Sequence, residues 1–124
     1  MILIVDDNYL FRKKIQMQLD DLHRYGGYNN LIVTAESIPS AKEIIKHEGK
    51  NIKIIFMDWL YPVELVCPEE FVDELRKKGY NIAIVTAVPE KDYIQGQVGE
   101  QVPIFSKPDL PGLVAWAKNT LEAR

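Results

Sequence analysis

Ile2-Leu3-Ile4-Val5-Asp6-Asp7-Asn8 opens the chain with four aliphatic residues that stop abruptly at three polar ones. A short apolar run with little alternation is the pattern of a strand covered on both faces, as in a parallel sheet. Beyond it, Phe11, Ile15, Leu19 and Leu22 recur at helical spacing and share one face. Strand, polar rim and amphipathic helix in that order make a βα unit.

The same order recurs along the chain. Residues 31–35, 52–57, 82–87 and 102–105 form four further apolar runs rich in Ile and Val. Ile38, Ala41, Ile44 and Ile45 mark a second helical face, Phe71, Val72 and Leu75 a third, and Leu110, Leu113, Val114, Ala117 and Leu121 a last one. Residues 89–101 contain Gly96 and Gly99 and few apolar side chains, so a helix there is expected to be short or mobile. Strands alternating with about five helices predict an α/β fold, a flavodoxin-like doubly wound five-stranded parallel sheet in the order 2-1-3-4-5. Pro103 within the fifth run cannot donate to a ladder, which suits the edge position that this order gives the fifth strand.

Composition narrows the function. The 124 residues suit one domain spanning 1–124, and a hydrophobic fraction of 47% with 27% charged residues is that of an ordinary globular protein. The net charge of −3 and the lack of a Lys/Arg run argue against direct nucleic-acid binding. No apolar stretch approaches the roughly 20 residues that span a bilayer, and none resembles a leader after Met1. The lone Cys67 cannot form an internal disulfide, so a cytoplasmic setting is expected. His23 and His47 sit singly, without a partner at metal-ligand spacing, and are expected on the surface.

In sheets of this kind ligands sit outside the carboxyl ends of the strands. There the sequence puts Asp6, Asp7 and Asn8 after the first run, Asp58 after the third, Thr86 and Ala87 at the end of the fourth, and Ser106, Lys107 and Pro108 after the fifth. Three carboxylates, a hydroxyl and a lysine are thus expected around one pocket. Clustered carboxylates repel one another unless a cation neutralises them, and a hard divalent ion such as Mg2+ takes oxygen ligands while leaving positions for phosphate oxygens. An aspartate beside such an ion can act as a nucleophile toward phosphorus, with lysine and hydroxyl stabilising the transferred group. Each part also has an ordinary structural explanation. Asp6, Asp7 and Asn8 suit helix capping, Thr86 suits a strand end, and Lys107 suits a solvated surface; their convergence on adjacent strands favours chemistry.

This constellation resembles the receiver domains of two-component response regulators, including the chemotaxis regulators. The resemblance spans the chain and rests on Val5-Asp6-Asp7-Asn8, Asp58, Pro62, Thr86-Ala87 and Lys107-Pro108. It implies Asp58 as phosphoacceptor, Asp7, Asp58 and the Leu60 carbonyl as Mg2+ ligands, and Asp6 holding the ion through water. It also implies Thr86 as the switch hydroxyl and Lys107 as a bridge between phosphate and carboxylate, with a cis bond before Pro108. The implied partners are a sensor histidine kinase or histidine phosphotransfer protein and a downstream effector, with no membrane. Such a protein catalyses its own phosphoryl transfer and is not a turnover enzyme.

The sequence departs from the family pattern at several points. Residues 25–30 suggest an extended connection into the second strand, and Val66 stands where receivers usually carry glycine. Residues 59–68 are long and apolar, suiting either a cover over the core edge or a partner-docking patch. Ile104 occupies the place of the usual aromatic switch residue, while Phe105 is expected to face the core. A pseudo-receiver that binds partners without productive phosphorylation is the alternative function. A flavodoxin-type cofactor domain is disfavoured because Asp6 and Asp7 would repel a phosphate. A dehalogenase-type phosphatase is disfavoured because no acid follows Asp58 two residues later.

Overall fold

The computed structural model describes residues 1–20, 32–59, 68–86, 95–96, 99, 101–107 and 110–122. Five strands, β1 (Ile2–Val5), β2 (Ile32–Ala35), β3 (Ile54–Met57), β4 (Asn81–Thr86) and β5 (Ile104–Ser106), form one sheet in the order β2-β1-β3-β4-β5. Every neighbouring pair is parallel, with Ile4 opposite Thr34 and Phe56, and Ile84 opposite Met57 and Ile104. The expected sheet and strand order are both present.

Among the described residues there are four α-helices: α1 (Tyr9–Asp20), α2 (Ile38–Glu48), α3 (Pro68–Lys77) and α4 (Leu110–Glu122), with a short 3-10 turn at Gly49–Asn51. The fifth of the expected helices falls on the segment between β4 and β5. That segment, from 89 to 101, lies mostly outside the described residues; of those described in it, Gln95 and Gly96 are helical. Leu22, the 25–30 connection and Cys67 also lie outside them.

Alternation along the strands sorts the core onto two faces. Leu3, Val5, Ile55, Met57, Ile82 and Ile84 pack toward α2 and α3, while Ile2, Ile4, Ile54, Phe56, Ala83 and Val85 pack toward α1 and α4. Both faces being covered explains why the runs read as continuously apolar. Burying each of these side chains except Ala83 contributes about 1.5–3 kcal/mol before entropy is counted. Trp116 of α4 packs edge-on to Phe56, 5.7 Å between ring centroids, and tilts against Phe105 at 6.2 Å.

Local chemistry sets the helix starts. Asn8 caps α1, accepting the Phe11 N–H on Oδ1 at 3.0 Å, and Ser37 caps α2, accepting the Ser40 N–H at 3.2 Å. Pro103 falls just before β5 rather than inside it. Its carbonyl accepts the Ile84 N–H at 2.9 Å, so the missing donor leaves no gap in the ladder. His47 is exposed as expected, but it does have an acidic neighbour one turn earlier: its Nε2 lies 3.0 Å from Glu43 Oε1.

Candidate functional site

The sheet carries three of the expected site residues one rung beyond its strands. The Asp6 N–H donates to the Ala35 carbonyl at 3.0 Å, Asp58 N–H to Val5 at 2.8 Å, and Lys107 N–H to Thr86 at 3.0 Å. Their positions are therefore set by the ladder, not by loop conformation. Counting by twos from Ile4, Phe56 and Phe105 puts Asp6, Asp58 and Lys107 on the α1 side of the sheet.

The carboxylates of Asp6, Asp7 and Asp58 converge, with one oxygen from each lying within 4.8 Å of the others. Asp6 and Asp58 are buried, whereas Asp7 is exposed and forms the open side of the pocket. Lys107 reaches in from β5. Its Nζ lies 3.1 Å from Asp6 Oδ2 and 3.2 Å from Asp58 Oδ2. Burial alone would lower the Lys107 pKa, but the charges of Asp58 and Asp6 outweigh it and hold the ammonium above its ordinary value.

Asn8 supplies the cap that the sequence allowed for all three residues of its run. Its own N–H donates to Asp6 Oδ1 at 2.8 Å, tying the capped helix to the buried carboxylate. Arg12 Nη1 donates to the Asp6 carbonyl at 2.5 Å, and the Phe11 ring lies 4.5 Å from Lys107 Nζ. Sequence reasoning placed Phe11 only in the core and did not single out Arg12. The available signal was their place in the first turn of the helix that leaves the acidic rim.

Thr86 is fully buried at the end of β4, opposite Ser106 in the register. Leu60, Pro62, Ala87 and Pro108 lie outside the described residues, so the metal-binding carbonyl and the cis bond fall there too. Of the 59–68 stretch, Trp59 is half-buried against the core face of α2 and α3. Ile104 packs toward that same face and Phe105 toward the opposite one, as expected.

The donor set suits a hard divalent cation. Among the described residues, the three clustered carboxylates carry more charge than the Lys107 ammonium that bridges Asp6 and Asp58, and Asp6 Oδ2 is buried without an aligned hydrogen bond despite its closeness to Lys107. An all-oxygen site with one open side fits Mg2+ better than a softer metal. By contrast, a cleft of about 490 Å³ lined by Arg76, Tyr80, Gln101 and Trp116 opens at the opposite, amino-terminal edge of the sheet. Arg76 is occupied there by a 2.9 Å bond to Gln101, and among the described residues no carboxylate cluster accompanies it.

The sheet order and the helices give the chain a flavodoxin-like α/β fold, the one seen in solved receiver domains. The chain is similar to the receiver domain of NtrX from Brucella abortus, at TM-score 0.79 and 19% identity, with 100% of both chains covered. It is also similar to a response regulator receiver domain from Clostridium thermocellum, at TM-score 0.78 and 19% identity over 97% of this chain and 92% of that one. The chemotaxis protein CheY4 of Vibrio cholerae matches at TM-score 0.69 and 23% identity over 96% of each chain. At these identities the likeness is one of fold. No protein-family model and no curated protein matches the sequence. Among the described residues, no helix is long and apolar enough to cross a membrane.

Proposed function

We propose that this protein is a response-regulator receiver that accepts a phosphoryl group on Asp58. The observation that carries the reading is the meeting of Lys107 Nζ with Asp58 Oδ2 at 3.2 Å beside the three-carboxylate cluster. An Asp58 oxygen attacks the donor phosphorus as the bond to the leaving group breaks, an imidazole nitrogen when the donor is a phosphohistidine. Lys107 meets the developing charge on the phosphoryl oxygens, and the Thr86 hydroxyl at the end of β4 is the second donor for them. Asp7, Asp58 and the Leu60 carbonyl would hold Mg2+, with Asp6 acting through water. When bound there, the ion would offset the carboxylate charge and supply a Lewis acid for the phosphoryl oxygens.

The phosphoryl donor is a sensor histidine kinase or histidine phosphotransfer protein, and the output is a change of conformation read by an effector. The helix that starts beside the pocket, α1, exposes the large side chains of Tyr9, Leu10 and Met17, which a protein approaching Asp58 would meet. The protein is a self-phosphorylating switch in the cytoplasm rather than a turnover enzyme. Incubation with acetyl phosphate and Mg2+ tests the reading. One phosphoryl mass mapped to Asp58, and none on Asp58→Asn, is expected. A folded protein that takes up no phosphoryl group would instead be a pseudo-receiver.

A further inference from the structure

We propose that Phe11 is the positioning residue for Lys107, its ring holding the ammonium at the carboxylate pocket while Lys107 changes partners between Asp6, Asp58 and an incoming phosphoryl group. The part concerning phosphoryl transfer rests on the function proposed above; the hold of the ring on the lysine does not.

Lys107 Nζ has three neighbours of opposite character: Asp6 Oδ2 at 3.1 Å, Asp58 Oδ2 at 3.2 Å, and the centroid of the Phe11 ring at 4.5 Å. The electron-rich face of an aromatic ring attracts an ammonium at this range, more strongly where water is excluded. Here the lysine side chain is 18% exposed and the phenylalanine is buried. An aliphatic side chain would fill the same core volume without attracting the cation.

The ring is also fixed relative to the acids. The Phe11 N–H is held by Asn8 Oδ1 at 3.0 Å, and the Asn8 N–H is held by Asp6 Oδ1 at 2.8 Å. Two hydrogen bonds therefore connect the backbone under the ring to the carboxylate beside the ammonium. A divalent cation entering the pocket competes with Lys107 for the carboxylate oxygens, because hard cations take oxygen ligands. It does not compete for the ring. The ring is thus the contact that persists when the acids are engaged elsewhere, and it keeps a long, flexible lysine from leaving for solvent.

Site-specific incorporation of phenylalanine bearing one, two or three ring fluorines at position 11 weakens the face of the ring while nearly keeping its shape. In the full chain, the phosphorylation rate with acetyl phosphate is expected to fall stepwise, about three- to tenfold across the series, with the Mg2+ midpoint unchanged. Independently, the Lys107 ε-methylene protons are expected at ring-current-shifted positions in the wild type, with and without Mg2+, and at ordinary positions in Phe11→Leu. Unshifted ε-methylene protons in the wild type would overturn the proposal, and so would a flat rate series. A wild type that takes up no phosphoryl group defeats the phosphoacceptor reading instead. The ε-methylene shift then still decides whether Phe11 holds Lys107.

Discussion

Lys107 Nζ lies almost equidistant from two buried carboxylates, 3.1 Å from Asp6 Oδ2 and 3.2 Å from Asp58 Oδ2. The lysine therefore serves as the internal counter-ion of the pocket, and its removal exposes what the acids cost. A buried charge stripped of its partner is strongly unfavourable.

Lys107→Met is expected to destabilise the protein by on the order of 2 kcal/mol in metal-free buffer, since Asp6 and Asp58 lose their shared cation. Mg2+ is expected to raise the melting temperature of the variant more than that of the wild type, because the ion then supplies the missing charge. Phosphorylation of Asp58 is expected to slow about a hundredfold. Thermal melts with and without Mg2+ check the first two points; equal metal-induced shifts would count against them.

The same pair sets a pH dependence. Asp58 and Asp6 overcome the effect of burial and raise the Lys107 pKa above 10.5. A raised lysine pKa means that the folded state binds the proton more tightly, so this stabilisation is complete below the unfolded-state pKa and is lost as pH rises through the folded one. Urea unfolding of wild type and Lys107→Met is expected to show a constant stability difference from neutral pH to about pH 10, shrinking above it. A difference that grows with alkalinity would contradict the sign.

Asp7 is the exposed member of the carboxylate cluster and the one that Lys107 does not contact. Asp7→Ala is expected to weaken Mg2+ binding about tenfold or more, a loss of at least about 1.4 kcal/mol, with little change in metal-free stability. Titration by the fluorescence of Trp59, next in sequence to Asp58, reads the midpoint. An unaltered midpoint would remove Asp7 from the ligand set.

Ile104 packs toward the α2 and α3 face, where no large ring is available on β5 to swing between two positions. A modification shifts a conformational equilibrium only through contacts that differ between the states. Binding of beryllofluoride as a phosphoryl mimic is therefore expected to change amide exchange in residues 60–68 and 88–99 rather than in Ile104–Ser106. Changes confined to β5 would show that the strand carries the signal without an aromatic residue.

Much of this protein is determined by patterns that are local in the sequence. The run from Ile2 to Asn8 already shows a strand buried on both faces, a polar rim and a helix start, because burial, side-chain period and capping act over a few residues. Five such apolar runs, four of them followed by a helical face, specify the sheet and the end at which Asp6, Asp7, Asp58, Thr86 and Lys107 gather. The segment from 89 to 101 lacked such a pattern and was the least legible part of the sequence.

Tertiary structure alone decided how these groups differ. Asp6 and Asp7 are neighbours of the same type, yet one is buried against Lys107 and the other faces solvent. Phe11 read as one more apolar residue of a helical face, but its ring lies under an ammonium supplied from the far end of the chain. The sequence carries the period that turns a side chain toward α1 or away from it. Which residue it meets there depends on how α1, β1, β3 and β5 pack, and those contacts join segments that share no local signal.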